Sequence, residues 1–268
     1  MADKKNFDMN NFVIDRIIRG VALSQKDDSV LFSINQIQNA SLNCASESTD
    51  AVDAMGTPIA TFYRAKSCEF SAENALFDMN LMATQLGTSK KVANDKAKIV
   101  VPAMESFTVA EGRKYELKHT PVKAPTEMYA LNDDSTFGKP YALGTAASAT
   151  EFSIAGKTIS LPTDEELVIG AEMFVMYEYE TDKAVEVVNS AKNFPVGCKF
   201  VMEVLGCDVC DQTNLVYAYV IFNNAKLSPD FDWSIATDGT HPFSMKAQQD
   251  YCDKEKKLFS IVIPGDVE

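Results

Sequence analysis

The chain has 268 residues, 46% of them hydrophobic, and a formal net charge of -13, enough apolar content to bury a core without staples as one large domain or two small ones. The anionic balance argues against a nucleic-acid-binding module, which relies on Lys and Arg to neutralise phosphates. No apolar run approaches the roughly 18 residues of a membrane span, and MADKKNFDMN lacks the charged-then-apolar order of a secretory signal, so a soluble protein with free thiols in a reducing compartment is expected.

The first ten residues are polar and aperiodic and read as an arm that orders on meeting a partner. FVIDRIIRGVAL and SVLFSINQIQNASLNC carry β-branched and aromatic residues in partial alternation and predict strands. The acidic stretch ASESTDAVDAMGTP predicts a long loop ending in Gly56 and Pro58, followed by a strand over IATFYRAKSCEF. In SAENALFDMNLMATQLG the period changes: Ala72, Ala75, Leu76, Met79, Met82, Ala83 and Leu86 share one helical face, with Ser71 as N-cap and Gly87 at the C-terminal end.

Beyond the Lys-rich link KKVANDKAK, β signals return in KIVVPAMESFTV, RKYELKHTPV and EMYALN, then in short pieces divided by Gly, Pro, Asn and Asp. Longer strands follow in EMFVMYEYET, CKFVMEVLGC, NLVYAYVIFNNAKL, HPFSMKAQQD and KKLFSIVIP. Turn signals every eight to twelve residues or so predict a mainly β chain, an antiparallel sandwich or partial barrel with one flanking amphipathic helix.

The spacing C-x-x-C at Cys207 and Cys210 falls between two strand-like runs, at the tip or shoulder of a hairpin. A thioredoxin-type pair needs a helix N-terminus directly downstream to lower the thiol pKa, and here a strand follows. A structural zinc site needs four ligands, normally two spaced pairs. Cys198, Cys252, His119 and His241 supply no second pair, so a site from Cys198, Cys207, Cys210 and Cys252 is the minority reading beside small residues filling a hairpin end.

His119 and His241 each stand near a proline and predict turns, not a triad. The nucleophile-elbow, phosphate-loop, dinucleotide, zinc-protease and calcium-loop patterns do not occur. Asp133-Asp134 and Asp164-Glu165-Glu166 read as solvated surface charge. No catalytic residue and no cofactor is expected.

Three stretches carry a family resemblance: FSINQIQNASLNCASESTDAVDAMGTPIATFYRAKSCEFSAENALFDMNLMATQLGT, YELKHTPVKAPTEMYALNDDSTFGKPYALGTAAS and YVIFNNAKLSPDFDWSIATDGTHPFSMKAQQDY. Their order resembles structural proteins of tailed bacteriophages, above all the major tail proteins that form the tail tube. The resemblance implies one tail-tube-like β domain over residues 1–268, with an N-terminal arm (1–20), a long loop (46–58) and an outward insertion (93–165).

It further implies a homo-oligomer of hexameric rings, stacked through arm and loop into a tube. DNA would pass through the lumen without specific binding, repelled by an acidic lining. Other phage tail proteins would be partners and no membrane would be involved; the place would be the virion tail, after assembly in the bacterial host cytoplasm. A capsid decoration or baseplate protein is the alternative reading, and a metal- or thiol-dependent protein using Cys207 and Cys210 is a further one.

Overall fold

The computed structural model describes residues 9–250 and 254–265. The chain opens with β1 (Phe12–Ser24), β2 (Val30–Ile34), β3 (Ile37–Val52), β4 (Pro58–Asn74) and α1 (Met79–Gln85). Then come β5 (Lys91–Val92), β6 (Ile99–Thr108), β7 (Lys114–Glu116), β8 (Glu127–Leu131), β9 (Phe137–Leu143), β10 (Glu151–Ala155), β11 (Thr158–Ser160), β12 (Glu172–Thr181) and β13 (Val185–Glu186). The chain closes with β14 (Gly197–Asp208), β15 (Asp211–Leu227), β16 (His241–Ala247) and β17 (Ser260–Val262). The mainly β class and the single helix agree with the sequence reading.

Two compact units form, one from the described residues up to Lys90 together with those from Val187 onward, the other from Lys91–Glu186. The stretch 93–165, expected as an insertion, is therefore part of a larger body. The reason is β12: it pairs with β6 along its whole length, from Glu172↔Thr108 to Thr181↔Ile99. That ladder draws EMFVMYEYET away from the long strands with which its sequence had grouped it.

In the first unit the sheet runs β2-β1-β14-β15-β16-β4-β3, with β17 also paired to β15. Its end strands β2 and β3 are joined by only Asn35 and Gln36, so the sheet curls until its ends approach one another. The Ala75 N–H donates to the Gln36 carbonyl at 2.9 Å and ties that junction down. This is the partial-barrel form of the expected fold.

Alternation supplies the core. Cys198, Phe200, Met202 and Val204 of β14 point inward together with Phe32, Phe70, Phe222, Phe243 and Met245 from neighbouring strands. Phe200 is the hub: its ring centroid lies 5.8 Å from that of Phe70, 6.2 Å from Phe32 and 6.3 Å from both Phe222 and Phe243. Gly20 on β1 makes room for that ring, because a Cβ there would stand 2.7 Å from the Phe200 Cζ and 2.8 Å from the Ile37 Cδ1.

The helix is shorter than its apolar stripe. Glu69–Asn74, which includes the predicted N-cap Ser71, pairs with β16 on one side, and most of the same stretch pairs with β3 on the other; two ladders satisfy more backbone groups there than a first helical turn would. The helix starts instead at Asp78, whose Oδ1 accepts the Asn80 and Leu81 N–H groups at 2.9 and 2.7 Å. Gly87 does end it, at φ 65°, with the Gly87 N–H donating to Thr84 and the Thr88 N–H to Ala83, a Schellman closure.

The second unit has its own sheet, β6-β12-β8-β9-β10-β11-β7, over a core including Leu117, Met128, Phe152, Ile159 and Met173. Buried Glu105 accepts hydrogen bonds from the hydroxyls of Tyr177 and Tyr115 and from the Lys118 N–H. Burial pushes its carboxyl pKa up, but these donors outweigh it and hold the group below the usual range. Among the described residues no helix is long and apolar enough to cross a membrane.

Candidate functional site

The stretch Ser46–Pro58, expected as a loop, is the outer part of a β-hairpin arm formed by β3 and β4. β3 and β4 pair antiparallel from Cys44↔Cys68 through Glu47↔Arg64 and Thr49↔Phe62 to Val52↔Pro58. The turn is fixed by Asp53, whose Oδ1 accepts the Met55 and Thr57 N–H groups at 2.8 and 2.9 Å while Gly56 takes φ 87°. Those two backbone bonds, Thr57 first, hold the Asp53 carboxyl below its ordinary pKa. Polar residues concealed the strand because nothing packs on either of its faces.

β3 from Gln38 to Val52 and β4 from Pro58 to Ser67 are exposed on both faces, and the arm is the part of this ribbon that lies beyond Cys44 and Cys68. Below it β4 continues into the sheet, where Cys68, Phe70 and Ala72 are buried. At about 3.3 Å per residue, Ala45–Val52 alone carries the arm roughly 25 Å beyond that anchorage. Its tip and flanks hold Met55 (89% exposed), Tyr63 (73%), Ile59 (71%) and Phe62 (56%).

An isolated two-stranded ribbon is at best marginally stable in water, and unpaired strand edges attract other strands. Three irregularities shape this one: the register slips between Gln38 and Ser41 around Asn39 (φ 53°), between Ser46 and Glu47 opposite Ala65 (φ 45°), and between Ala51 and Val52 beside the turn. Such bulges bend and twist a ribbon.

The expected N-terminal arm, residues 1–20, is divided. Residues 1–8 lie outside the described residues. Phe12–Gly20 belongs to β1, paired with Met202–Asp208 of β14 across two bulges, at Ile14/Arg16 and Ile17/Arg19, so that part is sheet because β14 supplies its ladder.

Cys207 and Cys210 occupy the hairpin between β14 and β15. Cys207 is buried on β14 opposite Leu215, whereas Cys210 is exposed in the turn, its N–H donating to Asp208 Oδ1 at 2.7 Å. The two thiols thus differ in burial, and no group of three or more His, Cys, Asp or Glu able to hold a metal occurs among the described residues. Cys252 lies outside them.

His241 is not in a turn. It opens β16 fully buried, its Nδ1 accepting the Asp78 N–H at 3.3 Å and its Nε2 standing 2.8 Å from Gln85 Oε1. Its ring stacks on Phe77, which stacks in turn on Trp233. His119, between β7 and β8, lies flat against Tyr179.

Asp164 is likewise more than surface charge. It is buried and takes hydrogen bonds from Lys139 Nζ at 2.6 Å, Tyr141 Oη at 2.9 Å and the Glu166 N–H at 3.1 Å. Lys139 leads these in holding its pKa down to about 2. Asp133-Asp134 matches the expectation, since Asp134 braces the turn into β9 through Thr136.

A further pair of thiols, absent from the sites expected from sequence, lies at the root of the arm. Cys44 and Cys68 stand directly opposite each other in the ladder with their sulfurs 2.6 Å apart. Opposed cysteines on adjacent strands leave no local sequence signature, because 23 residues of arm intervene.

Over residues 12–259 the chain matches the YomU/Tube protein family, and it belongs to that family. No curated protein matches it. The resemblance to phage tube proteins is thereby supported at the level of a tube-type structural protein.

Proposed function

We propose that this chain is the subunit of a phage tail tube, building rings that stack into a conduit for DNA. The observation that carries the proposal is the arm. A ribbon without a core of its own, exposed on both faces and tipped with Met55, Ile59, Phe62 and Tyr63, gains backbone partners and buries apolar surface when it lies on a second copy. Family membership supplies the tube, and the resemblance supplies six-fold rings.

The role is structural, with no bond made or broken. DNA passes without specific binding because a net charge of -13 repels phosphates. Assembly takes place in the bacterial host cytoplasm, where other tail proteins meet the tube ends, and the product resides in the virion tail.

Electron microscopy of the purified chain tests this reading. Six-fold rings or hollow tubes are expected, and Phe62→Ser with Tyr63→Ser should abolish them while leaving a folded monomer. Monomers or trimers at high concentration would point instead to a decoration or baseplate role.

A further inference from the structure

We propose that Cys44 and Cys68 form a thiol–disulfide couple that staples the root of the arm. The inference is independent of the tube reading and stands on three observations.

The first is register. Cys44 and Cys68 are direct partners, one step beyond Asn43↔Glu69, where β4 still belongs to the sheet. Directly opposed residues of an antiparallel ladder have Cα atoms about 4.5–5.5 Å apart, inside the window of about 4.4–6.8 Å that a disulfide spans. The backbone need not move for the bond to form.

The second is side-chain direction. Opposed residues project to the same face of the ladder, and the sulfurs are already 2.6 Å apart. None of the other described cysteines is placed in this way: Cys198 is buried opposite Ala225 and Cys207 opposite Leu215.

The third is access. Both residues line an open hollow of about 850 Å³, with Lys66 and Lys256 among its walls. Cys44 is exposed and Cys68 is buried. Burial and the neighbouring Cys44 push the Cys68 thiol up to about 11, so the two thiols have different roles.

The oxidant is a low-molecular-weight disulfide. The Cys44 thiolate attacks one of its sulfurs, breaking the S–S bond and releasing one small thiol; Cys68 then loses its proton and attacks the Cys44 sulfur, releasing the second. Two protein thiols are oxidised and one small disulfide is reduced to two thiols. The bond closes the loop that contains the whole arm, so arm and sheet move as one piece when it is oxidised.

Oxidised glutathione with the full-length chain is the test, read by intact mass and peptide mapping. In the peptides that hold them, Cys44 and Cys68 are expected to have lost about 2 Da together with no glutathione retained on either, to carry a reducible 44–68 linkage, and to react at least about tenfold faster than Cys198, any adduct on the exposed Cys210 being scored separately. Cys68→Ser should trap one glutathione on Cys44, and Cys44→Ser should remain largely unreacted at Cys68. A stable adduct on Cys44 of the unsubstituted chain, or preferential linkage to another cysteine, overturns the proposal. Tube formation is scored separately: a chain that oxidises at 44–68 but never assembles defeats the tube reading and leaves the couple standing.

Discussion

The arm and one edge of the first unit's body are cut from the same two strands, β3 and β4, yet opposite rules govern them. Along β4 the residues Cys68, Phe70 and Ala72 alternate with exposed neighbours and enter the core, whereas Ile59, Phe62 and Tyr63 of the same strand meet solvent. Glu69–Asn74 of β4 has a ladder on each side, to β3 and to β16, whereas the arm is paired on one side only; burial divides the two halves in the same way. The body should carry the stability of the unit, and the arm its capacity to associate.

The largest expected effect tests that division. Phe200→Ala removes the ring that touches four other phenylalanines in a fully buried site, and large-to-small changes of this kind cost about 3–5 kcal/mol. Urea denaturation followed by a probe in the first unit should show that loss. Phe62→Ser with Tyr63→Ser should stay within about 0.5 kcal/mol of the parent, as surface changes do. Comparable losses from both variants would mean that the arm is part of the folding core.

The contrast also explains what could be read from sequence. Strands over the body are legible because Phe200, Met202 and Val204 alternate with half-buried residues, and the Gly87 helix end because glycine relieves its positive φ. The arm is not, since SESTDAV has no buried face to impose a pattern and polar composition then mimics a loop. The helix start was misplaced because Ala72, Ala75 and Leu76 fit a helical stripe, whereas the β16 ladder, more than 150 residues away, decided the conformation of Ser71–Asn74. Cys207 and Cys210 drew notice through spacing alone; Cys44 and Cys68 needed the fold to meet.

A smaller effect lies at the junction of helix and sheet. His241 is buried, and desolvation lowers its pKa although the Asp78 carboxylate pulls the other way. Because the folded pKa lies below the unfolded value of about 6.5, the contribution is fully present above that value. It is lost progressively as pH falls towards and through the folded pKa, since the unfolded chain takes up the proton first. Thermal unfolding should show stability falling below about pH 6.5, with a slope from this one group of no more than about 1.4 kcal/mol per pH unit. His241→Gln should remove that component; an unchanged pH profile would place the titration elsewhere.

The smallest expected effect is confined to the arm. Ala65 holds φ 45° opposite the register slip at Ser46/Glu47, a left-handed conformation that costs an L-residue with a Cβ roughly 1–2 kcal/mol. Ala65→Gly relieves that cost but gives back about 0.5–1 kcal/mol through the greater freedom of glycine in the unfolded chain, leaving a net local gain on the order of 0.5 kcal/mol. Since the arm adds little to global stability, the gain should appear as an approximately twofold slowing of amide hydrogen exchange near Arg64 and Lys66, with the denaturation midpoint unchanged. Ala65→Val should act in the reverse direction, because a β-branched side chain tolerates positive φ least. Faster exchange in the glycine variant would mean that the bulge is held by its side chain and not against it, and that the arm is stiffer than its exposure implies.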